Sequence, residues 1–106
     1  MFNFEKLETW QKAINFADLV YELTRNFPAA VSISSNIAEG AARNSKHDYA
    51  RFLEIATGSL FEVDSQSFIG RRQGFLAEPN FQQLYAAAEE QGKMLSGLRR
   101  SVLEGS

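Results

Sequence analysis

Five side chains of this 106-residue chain invite a metal-binding or proton-moving reading: Glu39, Glu54, Glu62, Asp64 and the single histidine, His47. A carboxylate-bridged di-metal site in a helical bundle needs a Glu-x-x-His pair on each of two helices and two further glutamates. Here Asn44, not an acid, stands three residues before His47, and no second histidine exists. General acid–base catalysis needs paired carboxyl groups in one cleft with displaced pKa values, whereas Glu62 and Asp64, two apart on a helix, point in different directions. A serine nucleophile would have only His47 as its base. Cysteine is absent, which removes disulfides, thiolate nucleophiles and sulfur ligands together. Gly40, Gly58, Gly70 and Gly74 lack the spacing of a phosphate-binding loop. The chain is therefore expected to be no enzyme, with no catalytic residue, metal or cofactor. A small helical-bundle enzyme using carboxylates is the remote alternative.

Three other constellations invite a binding reading. The polar run Ser32, Ser34, Ser35, Asn36 and Glu39 is unusual, because serine and asparagine compete with the helix backbone for hydrogen bonds. Asn36 and Glu39 share a helix face, and Ser59, Glu62 and Gln66 recur at the same spacing on another segment. Asn36, Glu39, Ser59 and Glu62 are expected to form a polar structural network that fixes helix register; a polar binding site is the other reading. Arg43, Lys46, Arg51, Arg99 and Arg100, with His47, can gather at one pole and contact the phosphates of RNA or DNA. Against this, Arg71, Arg72, Arg99 and Arg100 fall in last helical turns, where cations complement the helix dipole. The net charge of -2 also differs from the basic balance of most nucleic-acid binders. Trp10, Phe16 and Phe61, joined by Phe68 and Phe75, supply more aromatic surface than one small core needs. Phe16 falls off the stripe set by Ile14, so these residues are candidates for a subunit interface; a wider core face is the plainer reading.

The elements that position these residues are helical. Apolar residues recur at three and four, not at two. Four helices are expected, at about 4–26, 29–42, 46–72 and 80–103, in a single domain spanning 1–106. Leu7, Trp10, Ile14, Ala17, Tyr21 and Thr24 make the first stripe, widened by Ala13, Val20 and Phe27. Pro28 disfavours helix at the residue before it. Ser45 is the expected N-cap of the third helix, with Asp48 three residues on, and Gly74 suits a left-handed C-terminal stop. Tyr49, Phe52, Leu53, Ala56, Leu60, Val63 and Ser67 form the third stripe. Phe81, Leu84, Tyr85, Ala88, Leu95, Leu98 and Val102 form the fourth. Gly58, mid-helix, is expected to permit close helix approach, because glycine otherwise weakens a helix. Short connections make an all-α, antiparallel up-down four-helix bundle the expected fold. The hydrophobic fraction of 44% is that of a soluble protein, and no apolar run nears the roughly 20 residues that span a bilayer. With no basic leader before an apolar stretch, a cytoplasmic protein is expected.

Several stretches together resemble one family. They are Phe4-Glu5-Lys6-Leu7, Trp10-Gln11-Lys12-Ala13, and Val20-Tyr21-x-Leu23-Thr24-x-x-Phe27-Pro28. They continue with Val31-Ser32-Ile33-x-Ser35-Asn36-Ile37-Ala38-Glu39-Gly40 and Phe52-Leu53-x-Ile55-Ala56-x-Gly58-Ser59-Leu60. The chain resembles the small bacterial four-helix bundle proteins encoded by intervening sequences of 23S ribosomal RNA genes, a family that includes the accessory variability protein of diversity-generating retroelements. The resemblance implies a homo-oligomer, a pentamer, acting as a non-catalytic binding or scaffolding module. It also implies a possible protein partner or contact with RNA or DNA. A purely protein–protein scaffold is the alternative. Two departures stand out. Ser34 occupies a position where the family has proline, and Phe27-Pro28 runs straight into Ala29, where the family carries about fifteen further residues ending in a basic stretch. Either the chain lacks that segment or the 106 residues omit it, and omission is the preferred reading. As it stands, a second helix of about 20 Å faces a third of about 40 Å.

Overall fold

The computed structural model describes residues 3–26 and 28–105. Phe27, expected to widen the first apolar stripe, lies outside the described residues. Those residues are all α, with no strand among them. A 3-10 helix over Asn3–Lys6 leads into α1 (Glu8–Thr24), followed by α2 (Pro28–Ala41), α3 (Lys46–Arg72) and α4 (Glu78–Glu104). The first helix thus starts four residues later than its apolar pattern suggests, the preceding turn being wound more tightly.

Local chemistry sets the boundaries. The Thr24 hydroxyl donates to the Val20 carbonyl at 2.6 Å and receives the Asn26 N–H at 3.0 Å. Arg25 then turns the chain in the left-handed region at φ 59°, its N–H bonded to Tyr21 O at 2.8 Å. A side chain with a Cβ is strained there by about 1 kcal/mol or more. The first residue of α2, Pro28, needs no N–H partner and has φ already set for a helix. Ser45 caps α3, its hydroxyl accepting from Asp48 N–H at 3.3 Å. At the other end Gly74 adopts φ 81°, and Gly70 O accepts the N–H groups of Phe75 and Leu76 at 2.9 and 3.1 Å. This is the left-handed stop that favours glycine.

The helices pack as neighbours in a closed order. α2 lies on α3, α3 on α4, α4 on α1 and α1 on α2, and among the described residues no diagonal pair brings its backbones close together. This is the contact pattern of a bundle, with overall extents of 47 × 25 × 17 Å. Its core holds Ala13, Phe16, Ile33, Ile37, Leu53 and Leu60, among others.

The α1 stripe is a correction. Ile14 and Tyr21 are exposed, and the buried seam is Thr9, Ala13, Phe16, Ala17 and Val20. Two apolar seams lie one residue apart, a rotation of about 100° on a helix, and periodicity alone does not choose between them. Likewise α4 buries Gln91, which falls at heptad spacing between Ala88 and Leu95; its polarity hid it from the apolar pattern. Gly58 is a second correction. A Cβ there would meet nothing within 4 Å, whereas one on Gly40 would lie 2.9 Å from Phe52 Cβ and 3.2 Å from Tyr49 O. Gly40 is the close approach, where α2 presses onto α3.

Candidate functional site

The polar residues divide into separate groups. Asn36 Nδ2 donates to Ser32 O at 2.8 Å and to Ser32 Oγ at 3.0 Å, and Ser59 Oγ donates to Ser32 Oγ at 2.9 Å. Ser32 is therefore the hub that ties α2 to α3. Glu39 instead pairs with Arg43, and Glu62 accepts from Gln66 at 3.5 Å. Asn36 and Ser59 are brought together; Glu39 and Glu62 are not. Ser34, at the position of the family's proline, is buried and its hydroxyl donates to Val31 O at 3.0 Å, so the helix continues through it.

The basic residues are partly neutralised. Arg43 pairs with Glu39 and Arg99 with Glu54, the latter at 3.2 Å. Lys46 donates to the Gly105 carbonyl near the end of α4. Arg43 and Arg51 both stand 4.9 Å from the centre of the Phe52 ring, a pair of cation–π contacts worth about 0.5–1 kcal/mol each at exposed sites. Arg51 and Arg100 have no ion pair among the described residues. His47 is exposed at the start of α3.

Of the three aromatic interface candidates, Phe16 is 3% exposed and belongs to the core, because the α1 seam is rotated toward it. Trp10 is half-buried and meets Phe4 edge-on at 5.2 Å. Phe61 is 66% exposed. It lies beside Tyr85 and Asp64 at the outer seam of α3 and α4. Burial there, and then the charge of Glu89, raise the Asp64 carboxyl above its usual value. Burial likewise raises the Tyr49 hydroxyl.

A cavity of about 260 Å³ opens at the other end of the molecule. Val20, Val63, Leu76 and Leu84 give it apolar walls, and Asn26, Gln66 and Ser67 give it a polar side. Asn26 Nδ2 donates to Gln66 Oε1 at 3.0 Å across it. Phe75 stands at its edge, 85% exposed, the most exposed of the large apolar side chains among the described residues. Sequence reasoning named Phe75 only among surplus aromatics and did not see the cavity. The signal that pointed toward it was the mismatch in length between the second and third helices.

Among the described residues no group of three or more acidic, histidine or cysteine side chains gathers into a metal site. No described helix is long and apolar enough to cross a membrane. No curated protein gave a match to the chain. The family of 23S rRNA-intervening sequence proteins matches residues 5–97, from the 3-10 turn to the last turns of α4. With nearly all of its helical framework covered, the chain belongs to the 23S rRNA-intervening sequence protein family.

Proposed function

We propose that this chain is a non-catalytic, self-associating scaffold whose four helices run alternately up and down. Side-chain contacts support the direction. Gly40 backs onto Tyr49 and Phe52 while Ser32 meets Ser59, so α2 descends as α3 rises. Arg71 pairs with Glu78 at one end of α3 and α4, and Arg99 with Glu54 toward the other. Gln91 of α4 donates to Thr9 O of α1 at 3.3 Å.

The observation that carries self-association is the water-facing apolar surface on and beyond α3: Phe61, Ile69 and Phe75 are each more than half exposed. Leaving such groups in water forgoes about 1.5–3 kcal/mol for each that a partner would cover. Sedimentation velocity across a concentration series tests the reading. A mass above the 11.9 kDa monomer is expected at tens of micromolar. A pentamer, the number the resemblance implies, would read as five times that mass. A monomer at every concentration overturns self-association.

A second reading, contact with RNA or DNA, draws on the two guanidinium groups at Phe52, with Lys46, Arg99 and Arg100 on the same half of the bundle. The ion pairs to Glu39 and Glu54 weaken it. An anisotropy titration with structured RNA decides. Binding that falls steeply with salt and is lost in Arg99→Ala/Arg100→Ala supports it, and no binding at low salt removes it.

A further inference from the structure

The outer seam of α3 and α4 is closed toward both ends by ion pairs, Arg71 with Glu78 at 3.3 Å and Arg99 with Glu54 at 3.2 Å. At the first of these the Arg71 guanidinium also lies on aromatic rings, 3.8 Å from the centre of Phe81 and 5.4 Å from that of Phe68. Ring faces attract the cation and the carboxylate neutralises it, so the three groups act together. A helix returns to nearly the same face after a heptad. One heptad back along α3, Phe61 takes the place of Phe68; one heptad on along α4, Tyr85 takes the place of Glu78. Where Arg71 would recur stands Asp64, an acid instead of a cation. The result is a cleft of about 160 Å³, with Leu60 and Ala88 in its walls, the Phe61 and Tyr85 rings beside them, and the carboxylates of Asp64 and Glu89. Neither acid has an ion pair among the described residues. Each lies within the other's field, since Glu89, after burial, is the second cause that raises the Asp64 carboxyl. On the flanks, Glu62 next to Phe61 adds negative charge, and Lys93, one turn after Glu89, is exposed and makes no ion pair among the described residues.

We propose that this groove docks an arginine side chain of a basic protein partner, its guanidinium lying on Phe61 and Tyr85 and bonded to Asp64 and Glu89. The end of the same seam is the precedent. Arg71 makes there, within the chain, the contacts that the middle of the seam offers to a cation it does not contain. The room suffices, since a cavity of about 150 Å³ takes up benzene and a guanidinium is a smaller plane. Arginine fits better than lysine, because its planar head stacks on rings while its fork meets two carboxylates. A basic partner fits better than a second copy, because the chain's own net charge is -2; like-charged copies repel, whereas a basic segment is drawn in. The groove lies across the bundle from the junction of α1 and α2, so it does not depend on the connection at Pro28. The docking adds to the scaffold reading what the scaffold holds, and it is independent of the number of copies that assemble.

The test is an NMR titration of isotope-labelled chain with N-acetyl-arginine amide, with N-acetyl-citrulline amide as the uncharged isostere. Saturable shifts are expected at the backbone amides of the groove, Leu60 to Asp64 and Tyr85 to Gly92, with a dissociation constant on the order of 1 mM for so small a probe. The citrulline amide is expected to bind at least about 10-fold more weakly. Asp64→Asn/Glu89→Gln keeps the shape, removes the charge, and is expected to weaken arginine binding at least about 10-fold. Phe61→Ala is expected to weaken it about 2- to 5-fold. If the double variant fails to fold by circular dichroism, Glu89→Gln alone, at an exposed position, carries the same test. The absence of saturable shifts, equal binding of the citrulline amide, or binding unchanged in the variants overturns the docking. Shifts spread over every exposed carboxylate overturn it as well. So do shifts at the same amides when the chain alone is concentrated, which would show a second copy in the groove. Sedimentation of the same samples separates the two readings. Arginine bound by a monomer keeps the groove and removes self-association, and an assembly that ignores arginine does the reverse.

Discussion

Along α3, the half around Leu53 and Ala56 is packed tightly enough that α2 meets it through a glycine, Gly40 against Phe52 Cβ. The half beyond Val63 has α4 on one flank and an open cavity on the other. Both halves present buried residues to the interior: Leu53 and Ala56 in the first, Val63 and Ser67 in the second. The difference lies in the neighbours. An apolar stripe closes a core only where the opposing helix is long enough to cover it, and the fourteen residues of α2 cannot cover the twenty-seven of α3.

Deleting a leucine from the packed half of α3 and one from the cavity wall just beyond its end gives the largest contrast. Leu53→Ala, fully enclosed, is expected to cost about 3–5 kcal/mol. Leu76→Ala, whose side chain already borders open space, is expected to cost about 2–3 kcal/mol, since fewer contacts are lost. Urea unfolding followed by circular dichroism measures both, and equal costs would show that the two halves are packed alike. Adding volume should reverse the order. Gly40→Val forces a branched side chain against Phe52 Cβ and Tyr49 O and is expected to destabilise by about 1–3 kcal/mol. Ser67→Val, at the cavity wall, is expected to stabilise by about 0.5–2 kcal/mol. A loss at both positions would mean that the cavity half has no room to give.

The smallest effect concerns Asp64, at the outer seam. Burial, then Glu89, raise its folded pKa above the usual 3.8, so the folded chain favours the neutral acid. That contribution is fully present below the unfolded value and is lost as pH rises through the folded one. Asp64→Asn stays neutral throughout. It is therefore expected to gain on the wild type as pH rises from the unfolded value through the folded one, with urea midpoints as the readout. Curves that run parallel across that window would remove Asp64 as the source of pH dependence.

Much of the framework is legible before folding is considered. Ser45 announces α3 and Gly74 ends it, because capping depends on residues within a few positions of the helix end. The α3 stripe from Leu53 to Ser67 is continuous and unopposed by a rival seam. The α1 seam is less legible. Ile14 and Tyr21 are as apolar as the residues that replace them, and a 100° rotation exchanges the two sets. The candidate site was legible only in fragments. The polar run at 32–39 was visible, but its hub, Ser32, emerges only when Ser59 of another helix comes within 2.9 Å. The basic residues were visible, but their pairing with Glu39 and Glu54 depends on which helical faces meet.

By itself the sequence determined four amphipathic helices, their approximate ends and the family, because each depends on residue type at close spacing along one chain. The tertiary structure alone decided that Gly40 and not Gly58 is the close contact, that Phe16 is core and Phe61 surface, that Gln91 is buried at 1% exposure, and that a cavity opens beside Phe75. Each of these depends on how far one helix is rotated and slid against another. That is settled by the fit of whole helical faces, which no local pattern records.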